Sequence, residues 1–354
     1  MADLGFAEHG GWPVTLGHLM DGRSLTREHA HVTMAEVLDG AATPAQIAAF
    51  MVALRMKGET IDELVGMVDA MLEASTRVDI DTDGPVVDLV GTGGDRAHTI
   101  NVSTISALVV AGAGGRVCKH GGQAASSACG SADLLEELGV AISLGPAGVA
   151  RCVAEAGIGF CFAPRYHPAM RHAGPSRRDL GIPTAFNILG PLSNPGRVKR
   201  YLIGVADERM AEKMAGVLQA NGAVRALIVH GGDGLDELTT TGSSSVVELR
   251  DGEVSTWAVE PLDLGIPRAI REDLVGGDAH LNADLARRVL AGEHGPHRDI
   301  IGLNAGAALV AAGLADDLPS GIAAALTSLD SGAAVAALNK LVEVSQRELA
   351  AEPA

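Results

Sequence analysis

The stretch from Asp88 to Gly139 constrains the fold more than any other part of this chain. The apolar run Val86-Val87-Asp88-Leu89-Val90 opens directly into Gly91-Thr92-Gly93-Gly94-Asp95, which reads as a buried strand entering a tight turn. A helix over Thr104–Gly112 follows, then a second strand at Arg116-Val117-Cys118 that leads into Lys119-His120-Gly121-Gly122. Ser131–Leu138 reads as a helix with a serine cap and Asp133 in its first turn, and Gly157–Phe162 as another strand. Strands that alternate with helices predict an α/β fold, with a mostly parallel central sheet flanked by helices.

The region before Asp81 offers no strand candidate. Thr43-Pro44 supplies an N-cap and a proline at the first helical position, and Ile47, Phe50, Met51 and Leu54 recur along one helix face. Thr60-Ile61-Asp62-Glu63 has the capping-box pattern ahead of Leu64, Met67, Val68 and Met71. Arg165–Pro195 breaks the later alternation with prolines at 168, 175, 183, 191 and 195, and reads as a crossover back to the helical region. Strands resume at Tyr201–Val205 and Val224–His230, with a helix over Glu208–Gln219 between them. Asp251-Gly252 marks a hairpin, and the chain from Asn304 onward reads as alanine-rich helix.

The chain has 354 residues and a formal net charge of −17. That charge argues against a nucleic-acid binder, whose affinity rests on cations meeting phosphates. It also means that a polyanionic substrate needs a metal ion or concentrated N–H groups and cations. The apolar stretches, such as Ala107–Ala113, fall short of the ~20 residues that span a bilayer, so no membrane association is expected. The N-terminus shows no export signal, and Cys118, Cys129, Cys152 and Cys161 form no CxxC pair. Reduced, buried thiols and a cytoplasmic location are the expectation.

Three elements can hold anions. The glycine turn at Gly91–Asp95 lets a phosphate approach the backbone ahead of a helix start, although a plain strand-to-helix turn has the same sequence. Asn101-Val102-Ser103-Thr104 offers an N-cap and two hydroxyls able to bind phosphate or Mg²⁺; a simple cap is the alternative. Lys119-His120 leaves a strand at the end where ligands of open α/β sheets bind, ahead of Ser126, Ser127 and Ser131. Further on, Asp236-Glu237 in His230-Gly-Gly-Asp-Gly-Leu-Asp-Glu suits Mg²⁺, or else is an acidic solvated loop. Arg177, Arg178 and His167 fit a carboxylate or interdomain ion pairs.

The combination GTGGD…TINVST, KHG…SS…GSADLLEELG, HPAM…RRDLGIPTAFNILGPLSNP and HGGDGLDE resembles the anthranilate phosphoribosyltransferase family, in order and over nearly the whole chain. AFMVALRMKGET and Leu303–Leu309 resemble it as well. The resemblance implies a small all-helical domain, residues 1–80 and about 166–198, hinged to a large α/β domain, residues 81–165 and about 199–354. It implies a homodimer, and phosphoribosyl pyrophosphate and anthranilate as the small-molecule substrates. Carried onto this sequence, it implies that Gly91, Gly94, Asp95, Thr99, Asn101, Ser103, Thr104, Lys119, Ser127 and Ser131 contact the phosphoribosyl donor. Ser103, Asp236 and Glu237 would hold Mg²⁺, as two ions. Gly91, His120, Gly122, His167 and Arg177 would meet anthranilate, with His120 and Lys119 catalytic. The sequence departs from the family at Gly122-Gln123, where the family usually has asparagine then arginine, and at Arg96, often glycine there. Those departures bear on the acceptor more than on the donor.

Overall fold

The computed structural model describes residues 2–124 and 128–352. Five helices come first: α1 (Ala2–Glu8), α2 (Gly11–Met20), α3 (Arg27–Leu38), α4 (Pro44–Lys57) and α5 (Ile61–Glu73). Thr43 and Gln46 close a capping box on α4, and Thr60 and Glu63 close another on α5, so both starts follow from the sequence. Their apolar faces meet around Met34, Phe50, Met51, Leu64 and Met67, all fully buried.

The α/β region runs β1 (Val86–Gly91), α6 (Val102–Gly112), β2 (Arg116–Gly121), α7 (Ser131–Glu137), α8 (Pro146–Ala156) and β3 (Ile158–Phe162). Three short helices follow, α9 (Ala163–Tyr166), α10 (Gly174–Leu180) and α11 (Phe186–Leu192), before β4 (Arg200–Gly204). Next come α12 (Ala211–Ala220), β5 (Arg225–Gly231), β6 (Ser244–Arg250), β7 (Glu253–Val259) and α13 (Ala279–Leu290). Three helices end the chain: α14 (Pro296–Ala312), α15 (Leu318–Asp330) and α16 (Ala333–Ala351).

The sheet has seven strands in the order β3-β2-β1-β4-β5-β6-β7. The first five are parallel, and β6 and β7 add antiparallel. The two-residue turn at Asp251 and Gly252, with φ of 50° and 84°, leaves room only for an antiparallel return. From β1 the chain winds outward to β3, then returns to place β4 on the other side of β1. The crevice between the carboxyl ends of β1 and β4 is therefore a topological switch point, where open α/β sheets bind ligands.

Some local readings change. The N-cap of α7 is Gly130 rather than a serine; Asp133 reaches back to the Gly130 N–H at 2.8 Å, and Ser131 begins the helix. The alanine-rich tail begins at Pro296 and is three helices, broken after Gly313 (φ 78°) and capped anew by Asp317. The segment from Tyr166 to Pro195 packs on the first helices: Phe186 meets Phe50 edge-on at 6.5 Å, and the Ser176 hydroxyl donates to the Pro44 carbonyl at 3.2 Å.

Candidate active site

Gly91 ends β1 and pairs in register with Gly204, which ends β4. Both are bare because the loop after β5 lies across them. A Cβ at Gly204 would sit 1.5 Å from the Asp236 carbonyl oxygen, and one at Gly91 would sit 2.3 Å from its carboxylate. The Asp236 carboxylate accepts from the Gly93 N–H at 2.7 Å, and Glu237 accepts from the Ser103 N–H at 3.1 Å. Residues far apart in sequence are thus joined at the switch point.

A cavity of about 170 Å³ opens here, and Gly91, Gly94, Asp95, Thr99, Asn101, Ser103, Ser131, Asp236 and Glu237 line it. Thr104 stands behind the wall, its hydroxyl donating to that of Ser131 at 3.0 Å. Lys119 is buried and reaches the cavity through Ser103: its Nζ donates to the Leu89 carbonyl at 2.5 Å and to the Ser103 hydroxyl at 3.2 Å. Ser126 and Ser127 lie outside the described residues.

The electrostatics of the cavity favour a cation. Burial, then the neighbouring Asp95, raises the Asp236 carboxyl to about 7. Burial and the adjacent Asp236 hold Glu237 well above the usual carboxylate range. Burial lowers Lys119, partly opposed by Asp88, Glu237 and Asp236. Crowded carboxylates and a hydroxyl form an all-oxygen donor set, which fits Mg²⁺. Among the described residues no three His, Cys, Asp or Glu side chains form a metal cage. The remaining ligands would come from phosphate and water, as is usual for this ion.

Sequence reasoning missed the frame of this cavity. Asn101 occupies the N-cap position of α6 but makes no cap bond; its amide donates to the Cys129 carbonyl at 3.0 Å and accepts from Asn282 at 2.9 Å. Thr99 bridges to Val275, and the Gly276 N–H donates to the His98 carbonyl at 2.9 Å. Asn304 of α14 clamps Leu238 through bonds of 3.0 and 2.8 Å, which fixes the chain just after Glu237. The Gly276-Gly277-Asp278 punctuation was the one visible trace of this frame.

The other half of the site is less crowded. His120 donates from Nδ1 to the Gly190 carbonyl at 3.1 Å, its Nε2 is buried without a partner, and its ring lies 5.0 Å from that of His167. Burial lowers His120 to about 3, helped by His167, and lowers His167 to about 4. Both imidazoles are therefore neutral. Among the described residues, a Cβ at Gly122 would meet only Ala163, at 3.9 Å. Arg177 lies on α10, its guanidinium held below its usual range by burial. No hydrogen bond joins Arg177 to His120 among the described residues. A second cavity, about 190 Å³, shares Gly93 and Gly94 with the first and is walled by Arg55, Pro183, Ala185 and Ile188.

A helical bundle joined to an α/β sheet with an oxygen-lined cavity at its switch point is the architecture of a glycosyl transferase family. The helical bundle domain of that family matches residues 14–75, and its a/b domain matches residues 83–335. The chain is 52% identical to anthranilate phosphoribosyltransferase of Salinispora arenicola over 341 residues, 94% of this chain and 96% of that one. It superposes on the crystal structure of anthranilate phosphoribosyltransferase from Thermus thermophilus with a TM-score of 0.89, at 42% identity, covering 94% of this chain and 99% of that one. The Saccharomyces cerevisiae enzyme in complex with PRPP and Mg superposes at 0.86, with 27% identity over 95% and 98% of the two chains. Its complex with 4-fluoroanthranilate superposes at 0.85, with 26% identity over 96% and 99%. This chain belongs to the anthranilate phosphoribosyltransferase family.

Proposed function

We propose that the enzyme transfers the phosphoribosyl group of 5-phosphoribosyl 1-pyrophosphate to the amine of anthranilate. The products are N-(5-phosphoribosyl)anthranilate, pyrophosphate and a proton. The observation that carries this reading is the approach of Asp236 and Glu237 to the Gly91–Asp95 turn over two bare glycines. It creates an oxygen-rich, charge-crowded cavity at the switch point, beside the start of α6.

Asp236, Glu237 and the Ser103 hydroxyl would hold two Mg²⁺ ions, which supply positive charge against the leaving pyrophosphate. Lys119 fixes the Ser103 hydroxyl and offsets the buried acids. Gly91, Gly94, Thr99, Asn101, Ser127 and Ser131 bind the rest of the donor, with Thr104 acting from behind through its hydrogen bond to the Ser131 hydroxyl. The bond from ribose C1 to pyrophosphate breaks as the amine nitrogen bonds to C1 from the opposite face. The amine is already nucleophilic, so a strong base is not required. A neutral His120, its Nδ1–H spent on Gly190, has its Nε2 lone pair available to orient the amine and take its proton late. His167 supports that ring, Gly122 leaves room for the acceptor, and Arg177 pairs with its carboxylate.

The helical domain, residues 1–80 and about 166–198, closes on the α/β domain to bring these halves together. Two copies pair through the exposed apolar face of α2 and α4, where Met20 and Met56 are 79% and 83% exposed. The enzyme works in the cytoplasm, a location suited to the unjoined Cys118 and Cys161 sulfurs, 3.6 Å apart. A relative of anthranilate as acceptor is the second reading, favoured by the bare backbone of Gly122. Pyrophosphate release across a panel of aromatic amines separates the two. Highest kcat/KM with anthranilate supports the first; tenfold preference for another amine establishes the second.

A further inference from the structure

A cavity of about 450 Å³ lies on the far side of the sheet from the donor site. It sits at the amino ends of β4 and β5, whereas open α/β sheets bind their substrates at the carboxyl ends. Arg27 and Asp69 wall it from α3 and α5, Arg197 and Lys199 from the run into β4, and Asn221 from the turn after α12. Three cations thus face one carboxylate in a protein of net charge −17.

The cations are unequally satisfied. Arg27 is paired with Asp69 through bonds of 2.9 and 2.6 Å. The Lys199 Nζ donates to the Asn221 carbonyl at 2.6 Å and to no other group among the described residues. Arg197 donates to the Leu72 carbonyl, and its Nε is buried with no hydrogen-bond partner among the described residues. Its backbone φ of 51° is a conformation that long side chains rarely adopt. With Asp69 committed to Arg27, the Arg197 and Lys199 side chains are the cations of this wall left for an oxyanion.

We propose that this cavity is a binding site for a small oxyanion, a phosphate or carboxylate compound, held between Arg197 and Lys199. Such a ligand ties the helical layer to the rear edge of the sheet. Asn194, in the same wall, donates to Asp88 at 2.7 Å, and the other oxygen of Asp88 accepts from the His120 N–H at 3.1 Å. One side chain, that of Asp88, therefore links the cavity wall to the backbone of His120 in the front site.

The test is calorimetric titration of the full-length protein with inorganic phosphate and, separately, with succinate, alongside melting temperatures in each. Wild type, Arg197→Met and Lys199→Met are compared. The site predicts saturable binding that is at least tenfold weaker in Arg197→Met and severalfold weaker in Lys199→Met. It also predicts a ligand-induced rise in melting temperature that both variants lose. Basal turnover in Lys199→Met stays at the wild-type value. Response to phosphate alone or to succinate alone identifies the ligand class. If Arg197→Met does not fold, Lys199→Met decides. No saturable binding in wild type, or identical isotherms in all three proteins, overturns the proposal.

Discussion

The proposed donor half and the proposed acceptor half of the front site are built differently. Gly91, Ser103, Asp236 and Glu237 hang on strand ends or a helix start, and short hydrogen bonds to the backbone hold the two carboxylates. His167 and Arg177 depend on a proline-broken run of short helices lying against the N-terminal bundle, and His120, although in β2, has its ring held by Gly190 of that run. The donor half is fixed by the sheet. The acceptor half is fixed by how two layers meet, so it tolerates change and suits movement. Substitutions in the first should abolish function, and those in the second should tune it.

The largest effect is expected from Gly204→Ala. Its Cβ would overlap the Asp236 carbonyl at 1.5 Å, so the carboxylate loop must move or the strand end must shift. Stability should fall by about 3 kcal/mol or more, with activity lost; thermal melting and turnover check it. A stable, active Gly204→Ala protein would break the claim that the sheet dictates the donor half. Next, Asp236→Asn combined with Glu237→Gln should lower kcat/KM by about 100-fold, roughly 2.7 kcal/mol of transition-state stabilisation. It should also flatten the dependence on Mg²⁺ concentration.

Effects in the acceptor half should be smaller. His120→Ala should reduce kcat about tenfold to 100-fold while the KM for the phosphoribosyl donor holds; equal turnover at saturation would remove His120 from the chemistry. The histidines also predict an acid response. Unfolded, they take up protons near pH 6.5; folded, His120 does so only at about 3 and His167 at about 4. The unfolded chain therefore binds more protons below 6.5, and this contribution to stability is lost as pH falls from about 6.5 toward 3. A His120→Gln, His167→Gln protein should lose less melting temperature than wild type between pH 7 and 5. Least of all, Gly122→Asn should fold normally, since among the described residues only Ala163 stands near, and should shift the KM for the aromatic acceptor by less than about tenfold.

The same division explains what could be read in the sequence. Gly91–Asp95 and Lys119-His120 sit where a short apolar run meets glycine, so their place at strand ends was legible from local pattern. Thr43 and Thr60 announced their helices by capping chemistry. Asn101 misled, because an asparagine at a helix start predicts a cap while a distant Asn282 takes its side chain instead. Asn282, Asn304 and the Val275 bridge were invisible because their partners lie far along the chain and no local periodicity encodes them. The rear cavity was hidden for the same reason: its cations come from elements separated by over a hundred residues.

The most direct measurement is the decay of anthranilate fluorescence in the presence of phosphoribosyl pyrophosphate and Mg²⁺, with each omitted in turn. Rapid loss that requires both is the predicted result, and it would show that Gly122 is compatible with this acceptor. No decay, while calorimetry still shows Mg²⁺-dependent donor binding, would contradict the proposed reaction and leave the donor half serving a different acceptor.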